Sequence, residues 1–163
     1  MPYAYYAKLR PKQKAIYRRS DEVTELKLAG AETCGQWVSE LASALEAEHR
    51  AGVERASQRL VNAIASSFAV SGVRVKVLST RPSTSSSELH GLYEFGHGKE
   101  LPTIKVWMRT SHHKRVVAFR TFLRTLLHEV CHHLDYRFLK LEDSFHTEGF
   151  FKRESSLFKQ LVA

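Results

Sequence analysis

The sequence contains few cysteines. Among its 163 residues only Cys34 and Cys131 are cysteines, too few for a disulfide framework or a cysteine-ligated zinc ribbon. No apolar run approaches the ~20 residues that a membrane-spanning helix requires, and Met1 to Arg19 contain no apolar segment typical of a signal peptide. These absences, together with a length typical of one domain, predict a single reduced domain over 1-163, located in the cytoplasm and without a membrane partner.

Acidic residues are absent from the first twenty positions, which instead carry six cations and four tyrosines. The cations are Lys8, Arg10, Lys12, Lys14, Arg18 and Arg19. Basic residues mixed with aromatic ones suit phosphate contacts and base stacking, and the formal net charge of +8 favours polyanionic partners. We therefore interpret residues 1-30 as a basic N-terminal extension. Within it we favour an ordinary short helix, Pro11 to Arg19, with solvated lysines, and the alternative is a segment that binds DNA or RNA.

The hydrophobic periodicity changes once along the chain, which predicts an α+β domain. Helical spacing occurs on both sides of a region in which valines alternate with basic residues, the pattern of half-buried strands. The predicted elements are helices at 20–29, 32–49 and 53–70, strands at 73–77, 89–95 and 103–109, a polar loop at 81–87, and two C-terminal helices.

The segment from Phe119 to Tyr136 contains H-E-V-C-H at positions 128 to 132, the H-E-x-x-H motif of zinc hydrolases. Residues four apart lie on one face of a helix, so the imidazoles of His128 and His132 can converge on one ion. Glu129 is turned by about 100° from His128, which directs it away from the metal but within reach of a water molecule in the open coordination position. The motif therefore predicts two zinc ligands and a general base.

Apolar residues recur at three- and four-residue steps through this segment, which predicts a long buried helix. They are Val116, Phe119, Leu123, Leu126, Leu127, Val130 and Leu134. Neither proline nor glycine occurs from Ser111 to Lys140, and Ser111 is the predicted N-cap. We expect Cys131 to be a small buried hydrophobe and His133 to be exposed or to support a ligand.

Three residues are candidates for a third ligand. His146 lies fourteen residues after His132, far enough for the chain to turn back, and Glu148 follows two residues later. Asp135 lies one turn after His132 on the same helical face, but three ligands in a straight row fit a tetrahedral ion poorly. A role in accepting a ring N–H from a ligating histidine suits Asp135 better. Thr147 is the predicted N-cap of a final amphipathic helix.

The order of segments resembles the SprT-like (Spartan-type) zinc metallopeptidases. A backing helix and a short sheet precede H-E-V-C-H, and H-T-E-G-F-F then opens the last helix; the resemblance covers about Val53 to Ala163. His146, Gly149 and Phe150 match a family pattern in which a later histidine is followed by a glycine and an aromatic residue. The resemblance implies a compact zincin fold with His146 as third zinc ligand and Glu148 in reserve.

The resemblance does not define a substrate. Spartan-type proteins join further DNA- and partner-binding segments to the catalytic domain, and many bacterial members carry a C-terminal zinc ribbon, for which this sequence lacks the cysteines. DNA–protein crosslinks, the substrates of some members, are therefore not carried over to this chain. Residues 1-30 also lie outside the part of the sequence that matches.

Three histidines on Zn²⁺ leave one open position, where the pKa of a bound water can fall toward ~7. With Glu129 as general base, the sequence predicts a zinc-dependent metalloendopeptidase that hydrolyses protein or peptide substrates, including proteins associated with nucleic acid. The alternative is a basic nucleic-acid-binding module with a structural zinc and no turnover. Structural zinc sites usually have four protein ligands, and only three are evident here.

Two further hypotheses concern the substrate. Tyr136 and Arg153 are candidates for stabilising the oxyanion that develops during peptide hydrolysis. If the predicted strand from Thr103 to Arg109 is an edge strand, an extended substrate can pair beside it.

Overall fold

The computed structural model describes residues 2–82 and 90–162. The predicted α+β class is confirmed, with five α-helices and one three-stranded sheet in these ranges. The helices are α1 Pro11–Glu22, α2 Gly35–Glu46, α3 Arg50–Ser67, α4 Phe119–Arg137 and α5 Glu148–Leu161. The strands are β1 Arg74–Thr80, β2 Gly91–Glu94 and β3 Thr103–Arg109, and short 3-10 helices occur at Ala4–Lys8 and Ala31–Cys34.

The strand order of the sheet is β1-β3-β2, so β3 is the central strand. It pairs in parallel with β1 and antiparallel with β2. The hypothesis that Thr103–Arg109 is an edge strand on which a substrate can pair is therefore wrong, because both of its sides are occupied. The strand next to the cleft described below is β2.

The core lies between one face of the sheet and helices α3 and α4. Alternate residues of the strands point into it, since side chains of a strand alternate between its faces. Its members from the sheet are Val75, Val77, Ile104, Val106 and Met108. The apolar stripe predicted for α4 is buried from Leu123 to Leu134, and Cys131 is fully buried among these residues as expected.

Helix α4 begins at Phe119, eight residues after the predicted N-cap Ser111, so that prediction is wrong. The chain between them turns back onto the end of β3 instead. Val117 N–H donates to the Met108 carbonyl at 2.7 Å, and Val116 forms a β-bridge with Arg109. Since these backbone groups are already paired with β3, the segment cannot form the first turns of the helix.

The helix predicted at 20–29 is also wrong for most of its length, because α1 ends at Glu22 and residues 23–28 form no helix. Side chains of α5 bind the main chain of this segment. Ser156 Oγ accepts from Leu26 N–H at 3.0 Å, and Gln160 Oε1 accepts from Leu28 N–H at 2.9 Å. These long-range hydrogen bonds replace the i to i−4 bonds of a helix.

The N-terminal part of the chain packs on α5. Ile16 and Tyr17 of α1 are buried, and Gly149 allows the C-terminal end of α1 to approach closely. A Cβ at position 149 would lie 2.6 Å from the carbonyl oxygens of both Ser20 and Asp21. Gly149, one of the residues that match the family pattern, is therefore required by packing, because a larger side chain would collide with the end of α1.

The predicted loop at 81–87 and the predicted strand at 89–95 are only partly covered by the described residues. Most of the loop predicted at 81–87 and the first residue of the strand predicted at 89–95 lie outside the described residues, and β2 covers the central part of that strand. Within the described part of the chain, no helix has the length and apolar character needed to cross a bilayer.

Candidate metal centre

Three histidine side chains meet beside α4. His128 and His132 lie one turn apart on α4, and His146 reaches them from the connector before α5. The His146 Nε2 atom is 3.1 Å from His128 Nε2 and 3.0 Å from His132 Nε2. A tetrahedral ion with Zn–N bonds of the usual length holds its nitrogens ~3.3 Å apart. The donor atoms, which all lie within 4.8 Å of one another, can therefore hold one metal ion.

The connector returns His146 to α4 through a turn at the end of that helix. Lys140 has a positive φ of 57°, and Leu141 N–H donates to the carbonyl of Asp135 at 2.9 Å. The next helix, α5, begins at Glu148 and is capped by Thr147, whose hydroxyl accepts from Phe150 N–H at 2.9 Å, so the predicted N-cap is confirmed. His146 is thus held directly before a helix with a fixed first turn.

The other ring nitrogens of the α4 histidines have hydrogen-bond partners that suit metal ligands. His128 Nδ1 lies 2.8 Å from Glu154 Oε1, and His132 Nδ1 lies 2.7 Å from Ser144 Oγ. Ser144 Oγ in turn donates to Asp135 Oδ2 at 2.7 Å. When Nδ1–H donates to such a group, the Nε2 lone pair is free for a metal. The residues present therefore fit a zinc ion in their chemistry as well as in their spacing.

The other candidate ligands lie elsewhere. Glu148 is on α5, where its carboxylate pairs with Lys152 at 3.2 Å, and it is not a member of the histidine cluster. Asp135 is fully buried and bound by Arg153 Nη2 at 3.0 Å. Asp135 supports His132 as expected of it, but it does so through the Ser144 hydroxyl rather than directly.

Glu129 lies next to the cluster, and only 6% of its surface is exposed. Burial raises its pKa to about 7, because the opposing effect of nearby His128 is smaller. Burial, reinforced by His128, lowers the pKa of His132 to about 3, which keeps this imidazole neutral and able to bind a metal. The site therefore combines a neutral nitrogen donor at His132 with a carboxylate that can exchange a proton near neutral pH.

The cluster faces solvent through two adjacent cavities. One, of about 520 Å³, is lined by His128 and Glu129 together with Gly91, Arg124 and Phe151. The other, of about 330 Å³, is lined by all three histidines, Glu129, Tyr93, Phe95 and Tyr136, among others. Because Glu129 and His128 border both, the cavities form one cleft that passes across the candidate metal centre between β2 and α5.

Two predicted roles are corrected by the structure. Arg153 is fully buried and donates to Asp135 and to the Ser20 carbonyl, so it cannot reach an oxyanion in the cleft. His133 is neither exposed nor a partner of a ligand. It is buried, accepts from Tyr93 OH at 2.9 Å and donates to the Ser71 carbonyl at 2.8 Å; burial lowers its pKa. Tyr136 does lie at the cleft.

Two residues of the site were missed at the level of sequence. Glu154 occupies a position in the apolar stripe of α5, between Phe150 and Leu157, where a charged side chain is rarely buried without a partner. That exception was a usable signal, since Glu154 is only 8% exposed and holds His128. Ser144 gave no signal, because nothing in its local sequence distinguishes it from an ordinary loop serine.

Comparisons of the chain with protein-family models, with curated proteins and with solved structures gave no match. The likeness to the SprT-like metallopeptidases therefore rests on the residues of the two motifs and on the order of the elements.

Proposed function

We propose that the protein is a zinc-dependent metalloendopeptidase of the SprT-like type with a zincin fold. The observation that carries the proposal is the convergence of His128, His132 and His146 beside a buried Glu129 in an open cleft. Three neutral nitrogen donors leave a tetrahedral zinc ion with one open position, the composition of catalytic rather than structural sites. The predicted cytoplasmic location is part of the same proposal.

The chemistry divides between the ion and the chain. A zinc ion bound there would supply Lewis-acid activation of a water molecule and of the scissile carbonyl. Glu129 takes the proton from the attacking water and delivers it to the nitrogen of the leaving amine. Burial raises its pKa to about 7 in the metal-free site, and this direction favours both steps, because a base and acid of this kind works best when its pKa is near the working pH.

The position of β2 supports an extended peptide substrate. Gly91 of this edge strand lies directly on Glu129, so that a Cβ there would be 3.0 Å from Glu129 Oε2. Among the described residues, β2 pairs with β3 only, which leaves its other side for a further strand. A peptide that adds to this edge by main-chain hydrogen bonds would pass over the general base.

The second candidate function is a nucleic-acid-binding module with a structural zinc. The exposure of Lys8, Arg10 and Lys12 favours a contact with DNA or RNA, but the histidine cluster found in the described residues has three members where structural zinc usually has four ligands. That module also gives Glu129 no role. We therefore propose nucleic acid as a partner of the peptidase rather than as its sole ligand.

The decisive experiment compares the wild type with Glu129→Gln. The substitution keeps the shape of the side chain and the three metal ligands but removes the base. Zinc content should remain near one per chain, while casein hydrolysis falls by about 10² or more, the contribution of general acid–base catalysis. Equal cleavage by the two proteins would refute the mechanism.

A second pair of variants tests the ligand set. His146→Ala removes one of three donors and should strongly reduce the zinc content of the purified protein. Glu148→Ala, two residues away, should change it little because that carboxylate pairs with Lys152. Metal analysis after dialysis measures both, and the reverse ranking would transfer the third ligand to Glu148.

A further inference from the structure

We infer that the N-terminal segment, residues 2–23, positions two of the three histidines and thereby sets the metal affinity of the site. The inference rests on the proposed metal centre. It concerns the part of the chain that the family resemblance does not cover, and that part contains none of the three histidines. Two sets of contacts connect the segment to the centre, one at His146 and the other at His132.

The first set reaches His146 through Tyr5. The Tyr5 hydroxyl donates to the His146 carbonyl at 2.8 Å, across 141 positions of sequence. Its ring packs edge-on against Tyr17 with the centroids 5.5 Å apart, and Tyr17 is only 1% exposed. A buried ring therefore fixes the hydroxyl that holds the backbone of the third histidine.

His146 depends on this support more than the other two histidines do. It lies on a connector and is exposed, whereas His128 and His132 are carried by a long helix. Their Nδ1 atoms bond to Glu154 and Ser144, but within the described residues His146 Nδ1 has no hydrogen-bond partner. Its orientation must then come from its backbone and the residues beside it.

Helix α1 holds those neighbouring residues. Thr147 Oγ1 and Ser20 Oγ, both fully buried, are hydrogen-bonded at 3.0 Å. Asp21 Oδ1 accepts from Gly149 N–H at 2.9 Å, at the first turn of α5, where a negative side chain is favourable. The backbone on the C-terminal side of His146 is thus fixed by the last turn of α1.

The second set reaches His132 through Arg153. This fully buried guanidinium donates to the Ser20 carbonyl at the C-terminal end of α1 and to Asp135 Oδ1 at 3.0 Å. The same carboxylate accepts from Ser144 Oγ, which lies 2.7 Å from His132 Nδ1. The end of α1 is therefore connected to a ligand imidazole by a continuous series of hydrogen bonds.

Such contacts affect the metal because they fix the ligands before the ion binds. Loss of an outer partner of a ligand typically lowers metal affinity by about 10- to 100-fold. Tyr5 acts on the backbone of His146 rather than on its ring, so we expect the lower end, about tenfold, for loss of its hydroxyl.

Tyr5→Phe and Tyr6→Phe form a matched pair for the test. Both rings pack on Tyr17, with centroid distances of 5.5 and 5.1 Å. The Tyr6 hydroxyl, however, accepts from Arg18 at 2.6 Å and does not touch the metal site. The zinc dissociation constant is measured by competition with a chelator, and thermal unfolding of the metal-free proteins reports any general loss of stability.

Tyr5→Phe should weaken zinc binding about tenfold, whereas Tyr6→Phe should bind zinc as the wild type does, with similar melting temperatures for the two metal-free variants. A second pair probes Asp21. Asp21→Ala removes the acceptor for Gly149 N–H and should also weaken zinc binding, while Asp21→Asn keeps an acceptor oxygen and should restore most of it. Unchanged affinity in Tyr5→Phe and Asp21→Ala, or equal weakening in both tyrosine variants, would overturn the inference.

These results are separable from the proposed function, because zinc affinity is measured without hydrolysis. A wild type that binds zinc but cleaves no peptide would refute the peptidase and leave the positioning role intact. A wild type that cleaves, with the Tyr5→Phe and Asp21→Ala affinities unchanged, would refute the positioning role alone. A wild type that binds no zinc would overturn both.

Discussion

At one edge of the sheet, β1 is covered by side chains of α3, whereas at the other edge β2 borders the cleft of the candidate metal centre. Arg50, Glu54 and Gln58 lie one helical turn apart along α3. Gln58 accepts from Val75 N–H at 2.8 Å and donates to the Val73 carbonyl at 2.9 Å. Glu54 accepts from the N–H of Val77, and Arg50 donates to the carbonyl of the same residue. Val77 is the next residue of β1 whose backbone groups point in the same direction as those of Val75. Three side chains thus replace a neighbouring strand.

The opposite edge has no such cover among the described residues. The groups of β2 that point away from β3 have no helix beside them that provides matching side chains, and its first residue, Gly91, lies on Glu129. Unpaired edges readily pair with other chains, and proteins usually block them. The difference between the edges is consistent with the proposed function, in which an extended peptide pairs with β2, while side chains of α3 close β1.

The largest effect should come from filling the contact between β2 and Glu129, the proposed general base. Gly91→Val adds a side chain whose Cβ would lie 3.0 Å from both Glu129 Oε2 and Thr125 Cγ2. Displacement of a reacting group by ~1 Å can lower the rate about 10²-fold, so casein cleavage should fall by about that factor while zinc content is unchanged. Peptidase assays and metal analysis measure the two effects.

Gly72→Val is the control for this substitution. Among the described residues, a Cβ at position 72 would have only Leu101 Cδ1 near it, at 4.0 Å, and Gly72 does not line the cleft. Cleavage should remain close to that of the wild type. If Gly91→Val were as active as this control, β2 would not constrain the position of Glu129. The open edge at β2 would then have no demonstrated connection with catalysis.

A smaller effect, of a different kind, is expected at the closed edge. Gln58→Ala removes two hydrogen bonds, one to Val75 of β1 and one to Val73 directly before it, each with a net contribution of about 0.5–1.5 kcal/mol, so the free energy of unfolding should fall by about 1–3 kcal/mol. Urea denaturation measures this change. The cleavage rate per folded molecule should not change, because β1 lies on the far side of β3 from the cleft.

Gln36→Ala provides the comparison for Gln58. Gln36 is exposed on α2, and no hydrogen bond of its side chain occurs within the described ranges, so its replacement should leave the unfolding free energy nearly unchanged. A loss of activity in Gln58→Ala without a loss of stability would mean that the covered edge also serves the reaction.

The sequence did not predict that one edge strand is covered and the other is open, although it predicted much of the candidate site. Local periodicity was sufficient for α4, for β3 and for the buried stripe of α3, and helical spacing was sufficient to bring His128 and His132 together. Strand order depends on pairings between distant segments, so alternation in Thr103–Arg109 could not show that β3 is central. The support of His132 by Ser144 depends in the same way on where a loop returns.

The N-terminal region shows the same limit. Its charge pattern was visible, but its contacts with α5 were not, because they join positions about 130 residues apart. Residues 23–28 contain helix-forming residues, yet they form no helix, and Ser156 and Gln160 bind their main chain. A strong tertiary hydrogen-bond network thus overrides a weak local propensity.

The smallest effect on the metal centre is expected from removing the exposed positive charges of the N-terminal region, which belong to neither edge of the sheet. Four cations of the N-terminal region, Lys8, Arg10, Lys12 and Lys14, are at least partly exposed. If they contact phosphates, their replacement by glutamine should weaken binding to single- and double-stranded DNA about equally across sequences and reduce its salt dependence. Zinc content and casein cleavage should not change, since the contacts of this segment with the centre are made by Tyr5, Ser20 and Asp21 rather than by these four cations. Titrations at two salt concentrations measure the binding.

The matched control removes four cations elsewhere, so that the net charge falls from +8 by the same amount. Suitable exposed residues are Arg74, Lys76, Lys99 and Lys159. A contact formed by the N-terminal cations predicts weaker binding only in the first quadruple variant, because attraction between charges in water falls steeply beyond a Debye length of ~10 Å at 0.1 M salt. Equal weakening in both variants would attribute binding to net charge, and no binding by the wild type at low salt would leave α1 as an ordinary solvated helix that supports the metal centre from its buried face.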